Sequence, residues 1–202
     1  MGIRERRDGE KAEMRKKIMD AAVEIINQEG YENLSIRKIA AKIEYSPTAI
    51  YLYYKDKAQI ITDMADGFCR EAESSAAACL EADKSAPVTQ QLRMILADFI
   101  RCLTSKPEVA KAIIYSGMNV IFANDNKGST PANGGINMLD RLLLKGIEEE
   151  VFRPGIRGMG WMIVSALLGF VISAVENRLY LLEDFSQFAE DFVELLTEGI
   201  SR

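Results

Sequence analysis

The chain has 202 residues, 48% hydrophobic and 27% charged, with a net charge of −5 and no histidine. That length can bury a core in one large domain or two modest ones, and the composition is that of an ordinary soluble globular protein. Without an imidazole there is no Ser-His or Cys-His nucleophile pair and no HExxH zinc site; Cys69, Cys79 and Cys102 lack CxxC spacing and read as buried cytoplasmic thiols. Charge is unevenly spread: residues 1–60 carry 12 Lys/Arg against 10 Asp/Glu, and the remainder 13 against 20. A locally basic head on an acidic body is the pattern of a protein that reads DNA with one end.

The start, MGIRERRDGEKAEMRKK, has no apolar secretory core, so a cytoplasmic protein is expected. Arg4, Arg6 and Arg7 read as a solvated tail, with an arm into a DNA minor groove as the sharper alternative. From about residue 10 to 28, Met14, Ile18, Ala22, Ile25 and Ile26 keep helical spacing, and Gly30 is placed to stop the helix.

Residues 35–57, SIRKIAAKIEYSPTAIYLYYKDK, pack two short helices, a tight turn and a basic exit into the size of a helix-turn-helix. Ser35 is placed as an N-cap, with Leu34 and Ile39 as a hydrophobic staple, and Ile36, Ile39, Ala40 and Ile43 form one apolar face. Glu44 and Tyr45 fill the turn. Ser46 caps the second helix, Pro47 starts it, and Ile50 and Tyr54 hold it to the first. Thr48, Ala49, Tyr51 and Leu52 are left facing outward, followed by Lys55 and Lys57.

These residues resemble the N-terminal DNA-binding domain of the tetracycline-repressor-like (TetR) family of bacterial transcriptional regulators, over roughly residues 11–61. Ser35 stands where the family usually has Thr, Tyr54 where it has Phe, and Glu44 where it has Gly. The last departure places a side chain at a position that favours φ > 0, a strain of roughly 1 kcal/mol or more.

Beyond the head, a long helix is expected from Lys57 to about Leu80, then helices at about 89–103 and from Pro107 towards Phe122. Ala123 to Gly135, ANDNKGSTPANGG, reads as a mobile loop; its Asn and Asp residues fail the EF-hand spacing. Helix resumes over 136–151 and ends at Phe152-Arg153-Pro154-Gly155, a turn that also looks like the family, although Glu150 stands where its members commonly carry Gly. Residues 158–175 are 18 uncharged residues in a row. A single segment of about 27 Å barely spans a bilayer, so a helix buried on all sides is expected instead. Its Ser165, Gly169 and Ser173 form a small-residue stripe, and a last helix over about 185–200 carries Phe188, Phe192 and Leu196.

The expected fold is all-α: a three-helix helix-turn-helix head over 1–57, joined by a long helix to a ligand-binding and dimerisation body over 58–202. What the resemblance implies is a homodimeric regulator, most simply a repressor, that binds a palindromic double-stranded operator and is released by a small apolar effector. No cofactor, metal or membrane is expected, nor catalysis. The recognition helix lacks Arg, Lys, Asn and Gln, so it offers Thr48, Ala49 and Tyr51 for thymine methyls and close packing. Arg37 matches a position from which some family members reach a base, and Tyr51 and Lys57 match phosphate-contacting positions. Ser35, Ser46 and Pro47 set the helices; Lys38, Lys42, Tyr53 and Lys55 are further phosphate candidates. Pocket candidates are Met64, Phe68, Phe99, Cys102, Tyr115, Met118, Phe122, Met138, Trp161 and Met162, and the four-helix dimer face would use Ser165, Gly169, Ser173, Phe188, Phe192 and Leu196. Two alternatives stand beside this reading: a helical adaptor with a vestigial head, which Glu44 and the plain recognition helix favour, and an enzyme, which lacks any catalytic constellation.

Overall fold

The computed structural model describes residues 3–122 and 134–202. Among these the chain is helical, with short 3-10 turns and an isolated antiparallel bridge between Phe152 and Ser201. In chain order the helices are α1 (Ile3–Glu29), α2 (Ile36–Lys42), α3 (Pro47–Tyr51), α4 (Lys57–Ala82), α5 (Val88–Ser105), α6 (Pro107–Phe122), α7 (Gly134–Glu148), α8 (Gly160–Glu176) and α9 (Phe185–Glu198). They form two compact units, Met1–Ala65 with Glu108–Met118, and Asp66–Pro107 with Asn119–Arg202.

In the first unit the apolar stripes named by the sequence are buried: Ile18, Ala22, Ile25 and Ile26 of α1, Ile36, Ile39 and Ala40 of α2, Ile50 of α3 and Tyr54 behind it. Each large aliphatic of this set contributes roughly 1.5–3 kcal/mol by leaving water. Gly30 ends α1 at φ 83°, and its N–H donates to the Ile26 carbonyl at 2.9 Å. The Ser35 hydroxyl accepts from the Lys38 N–H and the Ser46 hydroxyl from the Ala49 N–H, both at 3.2 Å. Two caps therefore fix where α2 and α3 begin.

Glu44 lies at φ 60°. Its N–H donates to Ala41 and the next N–H, of Tyr45, to Ala40, the paired bonds of a Schellman ending with Glu where Gly is usual. Glu150 repeats this at φ 59°, with Glu150 donating to Ile147 and Val151 to Gly146. That ending stops α7 at Glu148, three residues short of the expected Val151.

The second unit is built on α5, whose Leu92, Ile95, Leu96, Ile100 and Leu103 are buried and which packs on α7, α8 and α9. Phe152 is wholly buried, and a Cβ on Gly146 would run into its ring, so this glycine serves a close approach. The Asp140 carboxylate accepts the Gly160 N–H at 2.9 Å and anchors the start of α8 to α7.

Three expectations need correction. α1 runs back to Ile3, with Arg6 paired to Glu10 at 3.5 Å, so the segment with Arg4, Arg6 and Arg7 is helix and neither tail nor extended arm. Salt-bridge spacing at i,i+4 favours helix there. Secondly, α8 is not buried all round: Trp161, Met162, Ser165, Gly169 and Ser173 are exposed, while Ile163, Val164, Leu167 and Val171 are inside. Thirdly, Gly134 and Gly135 open α7, and the rest of the expected loop, 123–133, lies outside the described residues. No helix among the described residues is long and apolar enough to cross a membrane.

Candidate nucleic-acid interface

The caps of α2 and α3 leave a coherent outer surface. Thr48, Tyr51 and Leu52 are exposed, the last two by 56% and 76%, and Ala49 is half-covered. Two large side chains this open contribute little to the core. Arg37 on α2 is exposed and has no ion-pair or hydrogen-bond partner for its side chain among the described residues. The same holds for the Lys55 ammonium, whose backbone N–H is held by Gln59 at 2.7 Å. Asp56 caps the start of α4 by accepting from the Gln59 N–H at 2.8 Å.

Other cations are occupied. Lys38 pairs with Glu29, and Lys42 with Glu24 at 2.6 Å, which holds the Glu24 carboxyl below its ordinary value. Lys57 donates to the Tyr31 carbonyl at 2.8 Å and lies over the Tyr31 ring at 3.8 Å. Partial burial pushes its ammonium below the ordinary lysine value, with Glu32 acting against that shift. A lysine held this way braces the turn after α1 as well as facing the surface. Tyr53 is half-buried.

One cluster escaped the sequence reading. Arg15 on α1 reaches Asp63 on α4 at 3.1 Å and the Tyr53 carbonyl at 3.0 Å, and its guanidinium lies 4.9 Å from the centre of the Tyr54 ring. It ties α1, the exit of α3 and α4 at one point. The separations of 48 and 38 residues leave no local signal; the only clue is a charged residue bordering the apolar stripe at Ile18.

The effector candidates are scattered. Met64 and Phe68 are buried, and Phe99, Cys102 and Met138 are half-buried. Tyr115, Trp161 and Met162 are exposed by 63%, 53% and 48%. The Met118 and Phe122 side chains lie outside the described residues. Burial raises the Cys102 thiol above its ordinary value and pushes Cys69 up to about 11, so both are held protonated and unreactive. Of the expected dimer face, Ser165, Gly169, Ser173 and Phe188 are exposed, and Phe192 and Leu196 are half-buried; Leu195 on the same helix is exposed by 67%. Phe192 stacks on Phe170 of α8 at 4.5 Å between ring centres.

Residues 18–64, from Ile18 in α1 to Met64 in α4, match the family model for bacterial regulatory proteins of the tetR family. Over these residues the chain is similar to the DNA-binding domain of the TetR family. Its match to the fatty acid metabolism regulator protein of Bacillus subtilis (strain 168) is 26% identical over 191 residues, covering 91% of this chain and 93% of that one. Two solved structures share the fold. The fatty acid degradation regulator FadR of Bacillus halodurans superposes with a TM-score of 0.71 at 20% identity, over 91% of this chain and 94% of that one. The transcriptional regulator FadR of Bacillus subtilis, in complex with stearoyl-CoA, gives 0.65 at 23% identity, over 92% and 98%. These matches support a DNA-binding transcriptional regulator.

Proposed function

We propose that this regulator is a repressor that binds a palindromic operator as a homodimer and leaves it when an apolar effector binds the body. The head would occupy 1–57 and the ligand-binding and dimerisation body 58–202. The observation that supports the DNA reading is that Arg37 on α2 is exposed and unpaired among the described residues, and that Thr48, Tyr51 and Leu52 are exposed on the capped α3 that packs on α2. Arg37 would read a guanine edge, and Thr48, Ala49 and Leu52 would pack on thymine methyls. Tyr51, Tyr53, Lys55, Lys38 and Lys57 would contact phosphate. These fix register and produce salt dependence without supplying sequence.

The dimer would form through the open face of α8, at Ser165, Gly169 and Ser173, and through Phe188, Phe192 and Leu196 of α9. The small residues would permit close helix approach, and Trp161 and Met162 are exposed on the same helix. Met64, Phe68, Phe99, Cys102 and Met138 remain the pocket candidates. A long-chain acyl-CoA, whose acyl chain would be the apolar part and whose phosphates would have to stay outside the apolar pocket, is the first effector to try, because the Bacillus subtilis FadR structure holds stearoyl-CoA. It acts as an inducer only if it binds the DNA-incompetent state more tightly.

Footprinting on DNA from upstream of the protein's own gene tests this reading. The expected pattern is two dyad-related half-sites one duplex turn, or a multiple of it, apart, lost on titration with stearoyl-CoA. Protection of a single half-site would remove the dimer, and protection that persists at saturating acyl-CoA would remove that effector.

A further inference from the structure

We propose that the cleft between α5 and the first turns of α9 binds an amphipathic cation, with its ammonium or guanidinium head on Asp98 and its apolar body along the cleft. The cleft has a volume of about 590 Å³ and runs over Met94, Ile100, Phe185 and Ala189. That volume lies inside the range of about 300–1,000 Å³ typical of small-molecule sites. None of the ten effector candidates lines it.

Asp98 carries the argument. It lines the cleft with only 5% of its surface exposed, and burying a carboxylate is costly unless something is gained. Elsewhere in this unit half-buried carboxylates join elements: Asp140 of α7 holds the Gly160 N–H of α8, and Glu73 of α4 holds the Gly135 N–H of α7. Asp98 joins nothing. Its Oδ1 accepts from Arg101, three residues along the same helix, and no donor among the described residues is placed on Oδ2. The Arg101 side chain is itself 75% exposed, so it covers the carboxylate from the solvent side and can swing away. The lining holds two carboxylates, Asp98 and Glu190, against that one guanidinium, so a cation is favoured over an anion.

Part of the cleft wall lies away from the proposed dimer face, while Phe185 stacks on Phe170 together with Phe192 at its edge. Ser186, Glu190, Val193 and Thr197 share the side of α9 that faces α5, where Arg93 donates to Thr197 at 3.1 Å. Phe188, Phe192 and Leu195 lie on the opposite side by helical spacing.

The test is calorimetric titration of the full-length protein with n-octylamine, 1-octanol and octanoate, which share an apolar body and differ in head charge. The expected result is saturable octylamine binding at one per chain, octanol weaker by about tenfold or more, and no detectable octanoate. Asp98→Asn should bring octylamine down to the octanol level and leave octanol unchanged. Ser186→Trp, which fills the cleft from its rim without altering charge, should weaken both and serves if Asp98→Asn does not fold. Octanoate binding as tightly as octylamine, octylamine affinity unchanged by Asp98→Asn, or octylamine affinity unchanged by Ser186→Trp would each overturn the proposal. None of these readouts depends on DNA or on acyl-CoA, so the result stands apart from the effector reading.

Discussion

Arg15 and Asp63, 48 residues apart, meet at 3.1 Å, and the same guanidinium also holds the Tyr53 carbonyl at the exit of the recognition helix. The pair is only partly exposed, at 39% and 30% of the two side chains. It differs in kind from the surface pairs Lys17–Glu13 and Lys84–Glu81, which sit within single helices. Arg15→Met should cost roughly 1–3 kcal/mol, because it leaves a part-buried carboxylate and a carbonyl without their donor. Urea unfolding of Arg15→Met, Asp63→Asn and the double variant checks this, with a coupling of about 1 kcal/mol expected; strict additivity would reduce the contact to proximity.

Tyr54 lies beside this pair, 2% exposed, and its hydroxyl is pushed up to about 12, first by burial and then by the Asp63 charge. The folded value is above the unfolded one, so the neutral phenol contributes stability that is fully present below about pH 10 and is lost as pH rises towards 12. Tyr54→Phe should flatten that part of the alkaline stability profile. An unchanged profile would show that Tyr54 ionises as it does in the unfolded chain.

Most of the head was legible because its signals are local. Ser35, Ser46 and Pro47 cap or start helices within three residues of themselves, and Ile36, Ile39, Ala40 and Ile50 mark a buried face by spacing alone. What escaped depends on distance. Arg15 and Tyr31 act on residues 26 to 48 positions away, and no period reveals that Lys57 lies over a ring. In the body, apolar spacing located α5, α8 and α9 but could not say which face of α8 stays open. An apolar residue reads the same whether it meets its own chain or a second one.

The two Schellman endings carry a measurable strain. At φ 60° and 59°, Glu44 and Glu150 occupy a conformation that costs a side chain about 1–2 kcal/mol. Glycine relieves that strain but loses more chain entropy on folding, by about 0.5–1 kcal/mol. Glu44→Gly and Glu150→Gly should each stabilise by up to about 1 kcal/mol, and the effects should add, since the sites lie in separate units. Thermal unfolding reads the result; destabilisation by either change would mean that the glutamate side chain does more than tolerate the turn.

Gly146 should behave in the opposite way. Its missing side chain admits the buried Phe152 ring, so Gly146→Ala overpacks the end of α7 and should destabilise by about 1–3 kcal/mol. Gly155, with nothing near its Cβ, is the control: Gly155→Ala should be close to neutral in the same denaturation series.

The surface of Arg37 and α3 should read a specific DNA site. Fluorescence anisotropy of the purified protein with DNA from upstream of its own gene, against a scrambled duplex at two salt concentrations, tests it most directly. The account predicts tighter binding to the upstream duplex that weakens as salt rises, with Arg37→Ala narrowing the gap between the duplexes and Lys55→Ala weakening both alike. Equal binding to both duplexes by the unaltered protein, or equal losses on both for Arg37→Ala, would contradict it.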